Sequence, residues 1–333
     1  MGSWPILPRN SDVSLPTPNS TRNTFTIPSI FLRVSIASME TIINNARHAP
    51  IKGSEYPSVK YFNDVTDAVK YGFDGFVVAT PAETHFKLGK YILENKTPVL
   101  IEKPITTKLE DAIELNNIAR ENKVNLMVGH VLLFHPAFIK IKQMLDNGDL
   151  GRLQYIYSNR LNLGTIRTEE NVFWSFAPHD IALFQNFTGS VPLQIRSNGS
   201  DVLQPGIHDT TITTIKYPDN IMGHIFVSWL HPFKEHRFVV VGSRGMIHFE
   251  DSKEGKPLIF YNKCVDFKGG IPIPKNGSAK NVEYNNTMPL EAELRYFIKH
   301  LGSKSMDIAN GESAIEVMEI LIRATDDLLK DKC

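Results

Sequence analysis

Cysteine is nearly missing from this 333-residue chain. Its two cysteines, Cys264 and Cys333, stand far apart, which excludes a disulfide framework and a cysteine-built metal cluster and fits a reducing, cytoplasmic setting. Excess charge is missing too. Thirty-six Lys and Arg balance 36 Asp and Glu, so no global field draws the chain to nucleic acid or to an anionic membrane, and a charged ligand has to be met by local groups. Long apolar runs are lacking, as is a basic stretch followed by an apolar core, so neither a membrane span nor a secretory leader is expected. Residues 1–28 lack any apolar period: rich in Pro, Ser, Thr and Asn, they read as coil.

From Ile30 the pattern changes. IFLRVSIAS reads as a buried strand, METIINNARHA as a helix, and VKYFNDVTDAVKYG as a short strand followed by a capped helix. GFVVATP, PVLIEKP and VNLMVGH then read as strands, separated by the helical stretches THFKLGKYILENK and LEDAIELNNIARENK. Strands alternating with helices of this length predict a parallel sheet covered on both faces. Ligands of such sheets sit at the carboxyl ends of the strands, here Ala79-Thr80-Pro81, Glu102-Lys103-Pro104 and Gly129-His130. After a helix around 136–147 the register differs. LQYIYSNRLNL, DTTITTIKYP, NIMGHIFVSWL and HRFVVVG read as long strands joined by turn signals at residues 218–220 and 242–245, which predicts a mainly antiparallel sheet. Two amphipathic helices, PLEAELRYFIKHL and ESAIEVMEILIRATDDLLK, end the chain and are expected to cover one face of it.

Two groups of residues suggest chemistry. Lys103 ends an apolar strand at the ligand edge, and it can act on a hydroxyl if desolvation or a nearby cation lowers its pKa. The plain alternative is a solvated lysine with Glu102 as its partner. The second group is Ser175-Phe-Ala-Pro-His179-Asp180, where Pro178 can open a helix and keep His179 neutral near its positive end. The alternative there is a capping or core histidine.

Taken in order, ATPAETH, LIEKP, MVGHVLLFHP, SNRLNLGTIRTEENVFW, APHDI, LQPGIHD and HIFVSWL resemble the Gfo/Idh/MocA oxidoreductase family, and within it the UDP-N-acetylglucosamine 3-dehydrogenases and related nucleotide-sugar oxidoreductases. The resemblance runs from about Ile30 to the last helix. It implies an α/β chain with an irregular segment over 1–29, a Rossmann-type domain over 30–134 and an α+β substrate-binding and oligomerisation domain with an open, mainly antiparallel sheet over 135–333. It further implies NAD or NADP lying across Ser38, Thr80, Pro81, Thr84, His85, Glu102, Lys103 and His130. Lys103 and His179 would flank the reacting hydroxyl, and Arg160, Asn162, Arg167, Ser175 and His179 would meet a nucleotide-sugar substrate. Arginine suits a diphosphate because its planar fork donates two parallel hydrogen bonds, although solvated strand-end charges would look the same in sequence. A homodimer or homotetramer through the C-terminal sheet is the implied assembly.

The chain departs from that pattern in two places. A dinucleotide-binding domain expects G-x-G-x-x-G about 20 residues before an acidic group; residues 10–20 read NSDVSLPTPNS, without glycine, and Ser38 stands at the acidic position. Ser175 stands where the family commonly has Asp, four residues before the histidine. The expected function is an NAD(P)-dependent oxidoreductase acting on a secondary hydroxyl of a nucleotide sugar. The rival is a non-catalytic member, or one with a mis-joined coding segment over 1–28, that binds a sugar nucleotide but has lost the cofactor.

Overall fold

The structure is a computed structural model and describes residue 62, residues 64–302 and residues 305–330. Ser38, the first predicted strand and the predicted helix after it lie outside the described residues. Helix α1 (Val65–Tyr71) starts where the Asp64 carboxylate accepts the Thr66 amide at 2.7 Å and ends at Gly72, whose φ of 84° suits a residue without a Cβ. Strands β1 (Phe76–Val78), β2 (Val99–Glu102) and β3 (Leu126–Gly129) form a parallel sheet in that order, linked by helices α2 (His85–Glu94) and α3 (Leu109–Asn122). Their almost continuous apolar runs are buried, as covered parallel strands require. The outer side of β3 is sealed: the Val128 amide donates to the Ala309 carbonyl at 2.7 Å, and Met127 bridges to Asn310.

A short 3-10 turn over Val131–Phe134 leads into helix α4 (Pro136–Asp146), which His135 caps through the Ala137 amide. Beyond it, β4 (Leu153–Leu161) enters a second sheet and is followed by helices α5 (Val172–Phe176) and α6 (Pro178–Thr188). The sheet is completed by β5 (Gln194–Ser200), β6 (Thr210–Lys216), β7 (Met222–Ser228), β8 (Glu235–Gly242), β9 (Met246–Glu250), β10 (Leu258–Lys268) and β11 (Ile271–Asn281). Its order is β11-β10-β9-β8-β4-β7-β6-β5, antiparallel throughout except for the central β4/β7 pair. The sheet is therefore mainly antiparallel, as the strand pattern predicts.

Two parts of it escape the sequence pattern. β5 is a polar edge strand with only two buried residues, and β10/β11 form a long hairpin that, beyond the first residues of β10, is largely exposed, with Pro272 and Pro274 in it. Neither shows the alternation that marks a half-buried strand.

One of the last two helices also differs from expectation. Helix α7 (Pro289–Lys299) does not cover the antiparallel sheet: Phe297 and Leu301 close on Gly75 beside β1, where a Cβ would lie 2.5 Å from Leu301. Helix α8 (Gly311–Lys330) packs on β5 and α6 of one half and on α3 of the other. Chain after the second sheet thus returns to the first, and both sheets share one core. Replacing the fully buried Phe297 with Ala should lower the unfolding free energy by about 3–5 kcal/mol in urea denaturation. A loss below about 1 kcal/mol would show that α7 is not needed to cover the parallel sheet.

Candidate functional site

Three strand ends of the parallel sheet and the start of α6 converge. Thr80 follows β1, and its hydroxyl lies 2.5 Å from that of Thr84, which donates to the Pro81 carbonyl at 2.7 Å. Thr80, Pro81 and Thr84 line a cleft of about 720 Å³ that runs between α1 and α2, a size suited to part of a small-molecule ligand. His85 is buried beneath them. Its two ring nitrogens each lie 2.8 Å from a carbonyl oxygen, of Thr80 and of Pro104, so the ring ties the end of β1 to the residue that follows Lys103.

Glu102 closes β2 and leans over Gly129, where a Cβ would sit 2.7 Å from its carboxylate; any other residue at 129 would push Glu102 aside. Burial raises the Glu102 pKa. Behind it lies a group that the sequence does not flag, Glu293 of α7. Its side chain is fully buried, neither carboxyl oxygen has a hydrogen-bond partner among the described residues, and burial, then the nearby Glu102, push it up to about 9. The only sequence signal was a charged residue inside an otherwise apolar helical stripe.

Lys103 crosses from the first sheet to the second domain. Its ammonium donates to the Ser175 carbonyl at 3.0 Å. Burial lowers its pKa; Glu170 and Glu102 oppose that shift, and Arg167 and Arg160 add to it. The desolvation expected from the strand's position is therefore present. Ser175 meets Lys103 through its main-chain carbonyl.

His179 stands one residue inside α6, behind Pro178. Its pKa is held well below the ordinary value, chiefly by burial and then by His130, Lys103 and Arg160, so the ring is neutral at physiological pH. His130, just past β3, is also buried, and burial with Lys103 nearby brings it down to about 4. The two imidazoles meet edge to face with centroids 6.2 Å apart.

Arg160 is not a free cation. Its Nε pairs with the carboxylate of the wholly buried Asp180, whose other oxygen accepts the Ser158 hydroxyl at 2.7 Å. The His-Asp pair in the sequence is thus divided: His179 faces the strand ends and Asp180 anchors β4. Asn162 continues from β4, donating its amide to the Ser228 carbonyl at 3.0 Å, and Arg167 lies exposed on the next loop beside Glu169 at 3.5 Å. That loop is held by Gln204, whose side chain donates to the Arg167 carbonyl at 2.8 Å. Gln204 belongs to LQPGIHD, which Asp209 braces by accepting Trp229 Nε1 at 2.5 Å and the Leu203 amide at 2.7 Å.

His130 supplies a pH test. Its pKa is lower in the folded chain than the ordinary 6.5, so the folded state resists protonation. Its contribution is complete above pH 6.5 and is lost as pH falls from about 6.5 to about 4, by roughly 3 kcal/mol. Urea denaturation of the parent chain and of His130→Gln should give a shallower loss across that window in the variant. Parallel curves would mean that His130 is not desolvated.

Comparison with known proteins places the chain. The family profile "Oxidoreductase family, NAD-binding Rossmann fold" matches residues 34–130, and the profile "GFO/IDH/MocA C-terminal domain" matches residues 138–248. A UDP-N-acetylglucosamine 3-dehydrogenase of Acidithiobacillus ferrooxidans is 30% identical over 152 residues, covering 45% of each chain. A scyllo-inositol 2-dehydrogenase (NAD(+)) of Bacillus subtilis is 25% identical over 187 residues, covering 53% of this chain and 55% of that one. The chain thus matches about half the length of these curated relatives. A solved structure of the Acidithiobacillus ferrooxidans enzyme superposes with a TM-score of 0.71 at 21% identity, covering 83% of this chain and 85% of that one. With a profile match on each of its two sheets and this shared fold, the chain belongs to the Gfo/Idh/MocA oxidoreductase family.

Proposed function

We propose that the chain is an NAD(P)-dependent dehydrogenase that oxidises a secondary hydroxyl of a pyranose carried on a nucleotide, with C3 of a UDP-N-acetylhexosamine as the preferred position. The observation that carries the reading is the desolvated Lys103 and His179 brought side by side from different domains at the ligand edge of the parallel sheet. The described residues fit a nicotinamide dinucleotide. Thr80, Pro81 and Thr84 line a cleft of suitable size, and Glu102, Lys103 and His130 surround the strand ends beyond it. The pyrophosphate half and Ser38 fall outside the described residues. When bound, the nicotinamide supplies the hydride acceptor.

In this mechanism neutral His179 takes the hydroxyl proton as the carbon–hydrogen bond breaks. The Lys103 ammonium, already oriented by the Ser175 carbonyl, donates to the same oxygen and steadies the developing negative charge. Holding both groups rigidly between two domains supplies orientation before the reactant arrives. Ser175 cannot act as a base near neutral pH, and with Lys103 kept as the donating ammonium this mechanism gives the proton to His179.

One observation favours a second reading, a free cyclitol or sugar as substrate. Asp180 engages Arg160, which leaves Arg167 as the exposed cation of the two expected to meet a diphosphate. A nucleotide sugar remains our first choice because Arg167 and Asn162 are both on the loop that leaves β4 toward His179. The open face of the eight-stranded sheet, with Tyr155, Tyr157 and His224 flanked by the exposed Ile212 and Met222, supports a homodimer or homotetramer. An Ile212→Lys, Met222→Glu double variant should run as a monomer in light scattering, and an unchanged assembly would remove this face from consideration.

Turnover is tested on the purified chain with NAD and NADP against UDP-N-acetylglucosamine and inositol. Lys103→Met should lower kcat by on the order of 10²-fold or more with an unchanged circular-dichroism spectrum. Calorimetric binding of UDP-N-acetylglucosamine without any nicotinamide binding would overturn the dehydrogenase and leave a sugar-nucleotide binder. Turnover of inositol alone would select the second substrate.

A further inference from the structure

No carboxylate among the described residues is hydrogen-bonded to His179 Nδ1. The residue one turn before it is Ser175, whose carbonyl receives Lys103. Its neighbour Asp180 gives one oxygen to Ser158 and the other to Arg160. Glu170 and Glu102 act on Lys103. A histidine that accepts a proton at one ring nitrogen needs the other to carry the hydrogen, and the tautomer is set by what that hydrogen meets. In this chain Nδ1 of His179 is enclosed and has no hydrogen-bond partner among the described residues.

A second enclosed nitrogen without a partner lies beside it. Nδ1 of His130 is in the same condition, on a side chain that is 3% exposed. The rings stand at 90° with centroids 6.2 Å apart. A water making two hydrogen bonds of about 2.9 Å bridges nitrogens roughly 4.5–5.5 Å apart, a span within reach of nitrogens on the facing sides of two rings whose centroids are 6.2 Å apart. Buried water sits where otherwise unsatisfied polar atoms need it. Each ring nitrogen can either donate or accept but not both, whereas a water can do either at each end, so a bridge in which His179 Nδ1 donates to the water and the water donates to His130 Nδ1 is one it can make.

We infer that His130 is a positioning residue for His179: through one enclosed water it accepts the hydrogen of His179 Nδ1, which leaves Nε2 as the lone pair facing the substrate hydroxyl. His130 thereby takes the place of the carboxylate that Ser175 does not provide. Its backbone suits the task. The His130 amide donates to the Val128 carbonyl at 2.7 Å and its carbonyl accepts the Leu133 amide at 2.9 Å, so the ring projects from a braced turn at the end of β3. The charged groups facing His179 are Lys103 at the end of β2 and Arg160 on β4; both oppose protonation of the pair.

This inference rests on His179 as the base in the proposed reaction, and the test separates the two. Long-range proton–nitrogen correlation spectra of the full-length, nitrogen-15-labelled chain report the tautomer of each histidine, with His179 assigned by loss of its signal in His179→Gln. The parent chain should show the Nδ1–H tautomer at His179. His130→Gln, whose amide oxygen can accept through the same water, should keep it. His130→Phe and His130→Asn, one without an acceptor and one too short to reach, should shift His179 toward Nε2–H. An Nε2–H tautomer in the parent chain, or an unchanged Nδ1–H signal in the Phe or Asn variant, overturns the inference whether or not the chain turns over a sugar. If the chain is active, His130→Phe should lose on the order of 10²-fold in kcat with KM held, and His130→Gln should recover most of it. Correct tautomer shifts in a chain without dehydrogenase activity would leave the pairing standing and remove the proposed reaction.

Discussion

A lysine that spans two sheets is the constraint on which the rest of the site depends. An ammonium at the end of a buried strand is costly to desolvate, and here one carbonyl from the second domain accepts from it. That single donor–acceptor pair requires α5 and α6 to sit against the strand ends. It brings His179 and His130 into the same low-dielectric space, where their neutral forms are favoured.

The second domain is arranged to hold that geometry. Asp180 anchors Arg160 and Ser158 of β4 directly behind His179, so the central strand of the larger sheet is tied to the helix that carries His179. Trp229 and Asp209 brace LQPGIHD, which in turn holds the loop carrying Arg167. Helix α7 and the segment before α8 fold back onto the first sheet, and α7 places Glu293 behind Glu102. The polar groups at the junction are therefore fixed from both sides by apolar packing, and their charge states follow from that enclosure.

Much of this was visible in the chain itself. The β1–β3 strands and the helices between them follow from apolar runs and caps such as Asp64 and Gly72, because local hydrogen bonding and periodicity specify them. The placement of Thr80, Glu102, Lys103 and His130 at one edge follows from parallel topology alone. The long hairpin β10/β11 and the edge strand β5 were not legible, since strands with little burial carry no alternating signal. That Arg160 also pairs through Nε with a buried carboxylate 20 residues away was not legible, because an arginine near a strand end looks identical in sequence with or without such a partner.

Composition and motif order by themselves determined the family, the two kinds of sheet and the residue types at the ligand edge, because these depend on periodicity and spacing along the chain. Only the tertiary structure decided which groups share a dielectric environment. The bond from Lys103 to the Ser175 carbonyl, the pairing of Arg160 with Asp180, the edge-to-face contact of His130 with His179 and the burial of Glu293 beside Glu102 all join residues distant in sequence. Their energies are set by three-dimensional enclosure, which has no period that a sequence can display.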